Sequence, residues 1–225
     1  MSVTLSIIYL IATVTFIVGL KKLGHPDTAK SGNLIAAGGM GLAIVGTIFI
    51  HDLKVPTIIY VLIGVAILLG SIIGWLIAIK VEMTKMPELV SLFNGFGGAS
   101  AALIGIVEFG NSDIKTTNAT IVVTILSAIV IGAITFSGSL MAWGKLNGSV
   151  KSVIKIPQYN IVNNLVIIGI VAFAGYMVVG NIDSQVLLYS ILAAGLVYGV
   201  LFVMPIGGAD MPVVISLLNS LTGIA

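Results

Sequence analysis

An all-α, polytopic bundle of about eight transmembrane helices is the fold class this sequence predicts, and three observations predict it. Of 225 residues, 58% are apolar and 8% charged, with ten Lys, eight acids and no Arg. A soluble domain carries about 25% charged residues. The mean hydropathy is +1.21. The gaps between charges run to about 20 residues, the length with which a helix crosses roughly 30 Å of hydrocarbon. The same arithmetic excludes a disordered chain, which needs high charge and low hydropathy, and a basic groove for nucleic acid. With zero Cys, disulfides, thiolate chemistry and Cys-based metal sites are excluded as well.

Read in order, the spans are expected at 3–20, 31–50, 55–79, 88–107, 119–144, 161–180 and 186–206, with a short eighth segment at 211–225. Met1-Ser2-Val3-Thr4 has no basic n-region and no A-x-A site follows, so a cleaved signal peptide is not expected. The eighth segment is too short to cross comfortably, which predicts a cut helix and a longer parent protein. The odd loops hold eight Lys and the even loops two, which places the odd loops in the cytoplasm and the N-terminus outside. Loop 1, Lys21 to Asn33, and loop 5, Lys145 to Asn160, are basic and long enough to touch a soluble partner.

An internal repeat accompanies the spans. A shift of 125 residues lays 61–98 on 186–223, with eleven identities in 38 positions: Val61, Leu62, Gly70, Gly74, Leu76, Met86, Pro87, Ser91, Leu92, Asn94 and Gly98. Chance would give roughly four in chains of this composition. A weaker echo sets Asn33 on Asn164 and Gly38 on Gly169. Both copies start on the same side, which describes a parallel duplication of a four-helix unit.

The repeat exposes the polar candidates. Met86-Pro87 and Met211-Pro212 each open a helix, where the missing proline N–H costs nothing. Ser91 and Asn94 then share a face, as do Ser216 and Asn219. Glu88 and Ser220 extend these faces. Counting about 1.5 Å per residue puts both amides roughly 10 Å into their helices, where they could meet across the bundle, flank water or simply hold helices together. Ser139 is a further polar lining residue. Ionisable groups inside the spans are nearly absent, so any proton path here runs over amides, hydroxyls and water, and its titrating group belongs to a partner. His51, beside Asp52 at the outer end of span 2, is either an outer proton-loading point or a solvated interfacial His. Asp210, in Pro205-Ile206-Gly207-Gly208-Ala209-Asp210-Met211-Pro212, is either a helix cap or a docking contact. No Walker A or G-x-G-x-x-G pattern marks a nucleotide site, and no metal site is expected.

Residues Leu23 to Ala37, Val81 to Val90, Pro205 to Asn219, Thr135 to Ser139 and Gly144-Lys145-Leu146 together resemble the beta subunit of proton-translocating NAD(P) transhydrogenase. The resemblance implies a prokaryotic plasma (inner) membrane protein whose residues 1–225 form the proton-translocating membrane domain. It implies that hydride passes from NADH to NADP+ in soluble domains, with no hydride-transfer residue and no NAD(H) or NADP(H) site in this chain. It also implies partners: alpha polypeptides with the NAD(H) domain and further membrane helices, a ninth helix and NADP(H) domain continuing this chain, and a dimer of protomers. Many members have His where this chain has Asn94. Here Asn94 and Asn219 are expected to orient water or a partner His, with Asp210 and Glu88 coupling to the NADP(H) domain. A secondary transporter and a purely structural membrane subunit are the alternatives.

Overall fold

The computed structural model describes residues 3–50, 55–110, 118–150, 153, 157–180 and 182–225. Among them the chain forms eight α-helices and two 3-10 turns, with no strand. The helices are α1 (Val3–Leu23), α2 (Pro26–Ile50), α3 (Thr57–Lys80), α4 (Met86–Gly110), α5 (Ala119–Leu146), α6 (Tyr159–Val179), α7 (Gln185–Val203) and α8 (Met211–Thr222). Seven of them, α1 to α7, are long and apolar enough to cross a membrane. The expected fold class and span count are therefore found. His51, Lys54, Lys115, Lys151 and Lys155 lie outside the described residues.

Most boundaries shift by one to five residues, and three of the differences have a plain physical reason. Loop 1 shrinks to Gly24-His25, because α2 begins at Pro26 and not at residue 31. Pro26 suits a first helical turn, and the Thr28 hydroxyl donates to the Lys22 carbonyl at 2.7 Å, tying the turn to α1. The charges of Asp27 and Lys30 therefore do not mark where the helix ends. At 25 residues, α2 is about 38 Å long, longer than the hydrocarbon it crosses. At the other end of the chain, span 7 stops at Val203, since Pro205 has no N–H with which to continue a helix. Lys145, counted among the loop 5 lysines, lies in the last turn of α5 and is buried.

The chain divides within α3 into two compact units, 1–76 and 77–225. In the first, α1 packs on α2 through small residues. A Cβ on Gly19 would stand 2.8 Å from the Gly32 carbonyl oxygen, so the two backbones touch. The Tyr9 and Thr47 hydroxyls bond across the pair at 2.8 Å. No residue of α3 is buried.

In the second unit α5 is the central helix. Its glycines and small residues admit α4 on one side and α7 on another. A Cβ on Gly132 would lie 2.6 Å from the Gly98 carbonyl oxygen and the Ala102 nitrogen of α4, where nothing can yield. On the α7 side, Gly195 faces the Ala133 methyl and Gly199 faces Ser137 and Gly138. Two apolar cores flank these crossings. One gathers Phe109, Ile125, Ile129, Ile170, Met177 and Ile191 from α4 to α7. The other gathers Ala142, Val203, Met211, Val214, Ile215 and Leu218 from α5, α7 and α8. Hydroxyls within α5 are satisfied on the helix itself, Thr135 on the Ile131 carbonyl and Ser137 on that of Ala133. Gly148, at φ +76°, turns the chain after α5 in a conformation that favours glycine.

The repeat is visible in the backbone. The 3-10 turns Met83–Lys85 and Gly208–Asp210 stand 125 residues apart and each runs into a Met-Pro helix start. The dihedrals agree: Glu82 at −68°, 148° against Gly207 at −74°, 158°, and Met86 at −56°, −40° against Met211 at −57°, −37°.

A close crossing of this kind should tolerate no side chain. Gly132→Val is expected to lower the thermal midpoint of the detergent-solubilised protein by the equivalent of about 3 kcal/mol or more. Gly169→Ala in α6, where a Cβ meets open space, should be neutral or stabilising by up to about 1 kcal/mol.

Candidate functional site

The site begins at the start of α4. Pro87 sets the helix, and positions 91 and 94 then fall on one face, turned toward α5 by the Gly98–Gly132 crossing one turn further on. Gly95 has no side chain to hold the helices apart, and a Cβ there would sit 3.3 Å from the Ser139 Cβ. In this gap the Ser91 hydroxyl donates to the Ser139 carbonyl at 2.8 Å. The Asn94 amide nitrogen donates to the Ser139 hydroxyl at 3.0 Å. Ser91, Asn94 and Ser139 are 0%, 7% and 1% exposed. Three of the residues expected to line a proton path thus form one buried polar cluster.

The cluster is not closed. The Asn94 carboxamide oxygen is buried and has no donor among the described residues. Such an oxygen, left without a donor, costs about 1–3 kcal/mol. It is an acceptor placed for a water molecule or an N–H group arriving from elsewhere.

The second copy has the same backbone and the opposite environment. On α8, Ser216, Asn219 and Ser220 are exposed, and the Ser220 hydroxyl turns back onto the Ser216 carbonyl at 3.1 Å. No hydrogen bond joins Asn94 to Asn219 among the described residues; Asn94 meets Ser139 instead. Asp210 closes the 3-10 turn and occupies the N-cap position of α8, yet its carboxylate makes no cap bond, and the residue is exposed. The plain helix cap weighed for it from the sequence is therefore not what the side chain does. Glu88 is half-buried in the first turn of α4. The expected outer residue, His51, lies outside the described residues.

One residue escaped the sequence reading. Lys145, 6% exposed, donates from its ammonium to the carbonyls of Val203 at 3.0 Å, Met204 at 2.5 Å and Ile206 at 2.7 Å. Among the described residues no carboxylate pairs with it. Its place in Gly144-Lys145-Leu146, directly before a turn, made it read as a topology-setting loop lysine. The available signal was a cation one residue from the end of an otherwise apolar helix, opposite a Pro-terminated one. Asn163 of α6 also keeps a buried oxygen without a donor among the described residues.

The family model for the NAD(P) transhydrogenase beta subunit matches residues 5–225. The chain belongs to the NAD(P) transhydrogenase beta subunit family. NAD(P) transhydrogenase subunit beta from Rhodospirillum rubrum is 35% identical over 223 residues, covering 96% of this chain and 47% of that protein. Its counterpart from a defined strain of the same species matches to the same extent. The chain therefore spans about half the length of the curated relatives it matches. Every residue of the polar cluster, both Met-Pro helix starts and Lys145 lie inside the part shared with the family.

The two copies of the motif should respond differently to the same change. Ser139→Ala removes the acceptor of the buried Asn94 amide and should cost about 1–3 kcal/mol in thermal unfolding. Ser216→Ala, on the exposed face of α8, should stay within about 0.5 kcal/mol of the parent protein.

Proposed function

We propose that this chain is the membrane part of a transhydrogenase beta subunit, and that it couples inward proton movement to hydride transfer from NADH to NADP+. In that reaction a hydride leaves NADH and enters NADP+, giving NAD+ and NADPH, in soluble domains outside residues 1–225. Family membership supports the reaction class. The single observation that supports the proton path is the Asn94 oxygen, buried and open beside Ser91 and Ser139.

In this reading the Asn94 amide holds its N–H2 on Ser139 and presents its oxygen to a water or to an imidazole N–H from the alpha side. An amide does not titrate near neutral pH, so it orients a proton carrier without becoming one. Asn219, with Ser216 and Ser220, presents a second polar face to the same pathway from α8. Asp210 and Glu88, at the helix starts, transmit the proton's arrival to the NADP(H) domain. The odd loops face the cytoplasm of a prokaryotic cell, where that domain continues from this chain, and the alpha polypeptides complete each protomer of a dimer. His51 is the outer loading point. The nucleotides NAD(H) and NADP(H) bind outside these 225 residues.

Three substitutions in the complete complex test this. Asn94→Leu or Asn219→Leu should reduce proton-coupled NADH-to-NADP+ transfer at least roughly tenfold, the worth of one buried polar interaction, with assembly intact by size-exclusion chromatography. Coupled rates equal to the parent's would leave these amides a packing role alone. Asp210→Asn should change the rate of NADP(H) release, measured by stopped-flow fluorescence. Identical release kinetics would remove Asp210 from the coupling path.

A further inference from the structure

The last four carbonyls of a helix have no partner within it, and near hydrocarbon they must find one in the protein. At the end of α7 two side chains from the flanking helices do this. Lys145, in the last turn of α5, takes the carbonyls of Val203, Met204 and Ile206. Tyr159, the first residue of α6, donates its hydroxyl to the carbonyl of Phe202 at 3.3 Å. An ammonium has three protons, and Lys145 uses all of them. Its charge also sits at the negative end of the α7 dipole.

The acceptors belong to the connection between α7 and α8. Past Ile206 the chain has four residues before α8: Gly207, Gly208, Ala209 and Asp210. Inside that stretch the Asp210 N–H donates to the Gly207 carbonyl at 3.1 Å. The segment that carries Asp210 is thus fastened at its root by one buried charge. Leu146 and Ile206 pack beside that root, against the core formed by Ala142, Val203 and Met211. The same helix α5 carries Ser139, six residues before Lys145, which is about 9 Å along the helix axis. Ser139 holds Ser91 and Asn94.

We propose that Lys145 is the positioning residue of the α7–α8 connection. It clamps residues 204–206 to α5, so that a displacement of the Asp210 segment and a displacement of the Ser139–Asn94 pair are one motion of α5. A neutral side chain of the same volume would fill this space more cheaply than an ammonium taken out of water. What the charge adds is a fixed register between α5 and the connection. The clamp itself stands on geometry alone; its part in coupling rests on the proton-coupling function proposed above.

The test uses the complete complex. Hydrogen–deuterium exchange of the 204–210 amides, read by mass spectrometry, is compared between the parent, Lys145→Met and Lys145→Arg, beside the coupled NADH-to-NADP+ rate. Methionine keeps the apolar stem and volume and loses the charge. It should speed exchange in 204–210 roughly tenfold or more, as loss of charge-assisted bonds does. It should lower the coupled rate while leaving exchange in α4 unchanged. Arginine, which also caps helix C-terminal carbonyls, should return both readouts toward the parent. Exchange in Lys145→Met equal to the parent's overturns the clamp, whatever the rate does. Faster exchange with an unaltered coupled rate overturns its part in coupling. An arginine variant no better than methionine shows that the charge is not what acts, and overturns the proposal too. Where Lys145→Met does not assemble, Lys145→Gln, with two neutral donors, carries the same comparison. A parent complex without proton-coupled transfer would sink the proposed function, and the exchange comparison would still decide the clamp.

Discussion

In a bilayer every polar group that leaves water has to be answered inside the protein, and in residues 77–225 most of the answering is done by α5. Its glycines and alanines bring α4 and α7 to backbone contact. Only at that distance do short side chains reach across: a serine hydroxyl to a carbonyl, an amide to a hydroxyl. The Ser91–Asn94–Ser139 cluster is therefore a by-product of the Gly98–Gly132 crossing as much as of its own residues. Take the crossing away, and the same three side chains stand too far apart to meet.

The spans were legible because charge is so scarce in this chain that each gap between charges is a helix. The cluster was legible in part. Spacing along one helix gave Ser91 and Asn94 a common face, and the repeat singled them out. It could not say which helix stands opposite, since that depends on where small residues on two distant segments allow approach. So whether Asn94 would meet Asn219, water or another helix stayed open in the sequence, and Ser139 is the residue it meets. Lys145 was hidden by the same scarcity that revealed the spans. A lysine beside a turn is counted as topology, and nothing local tells that three carbonyls from 58 residues and more further on converge on it. The start of α2 lies beyond the charges that bound its apolar stretch, so the gap between charges does not give it.

Positive charge at a helix end and open acceptors in a buried cluster are two faces of one economy. Both concern backbone or amide oxygens that the fold itself does not supply with donors. At the end of α7 a lysine from α5 supplies them. At Asn94 the described residues do not. The contrast is between a set of carbonyls that the protein answers with a charge and an amide oxygen that it leaves without a donor among the described residues.

The duplicated turn and helix start have a consequence for how such a chain changes over generations. Two copies with closely similar dihedral angles share one local recipe, yet among the described residues only the α4 copy is held by a neighbouring helix through its Ser–Asn face. A side chain at position 91 or 94 has to fill the gap beside Ser139 and bring a hydrogen-bonding group into it. At Ser216 or Asn219 packing within these residues imposes almost nothing, and the side chain can drift as far as its outward-facing task allows. One local recipe thus stands in two settings, one closed by a neighbouring helix and one whose polar face is exposed among the described residues.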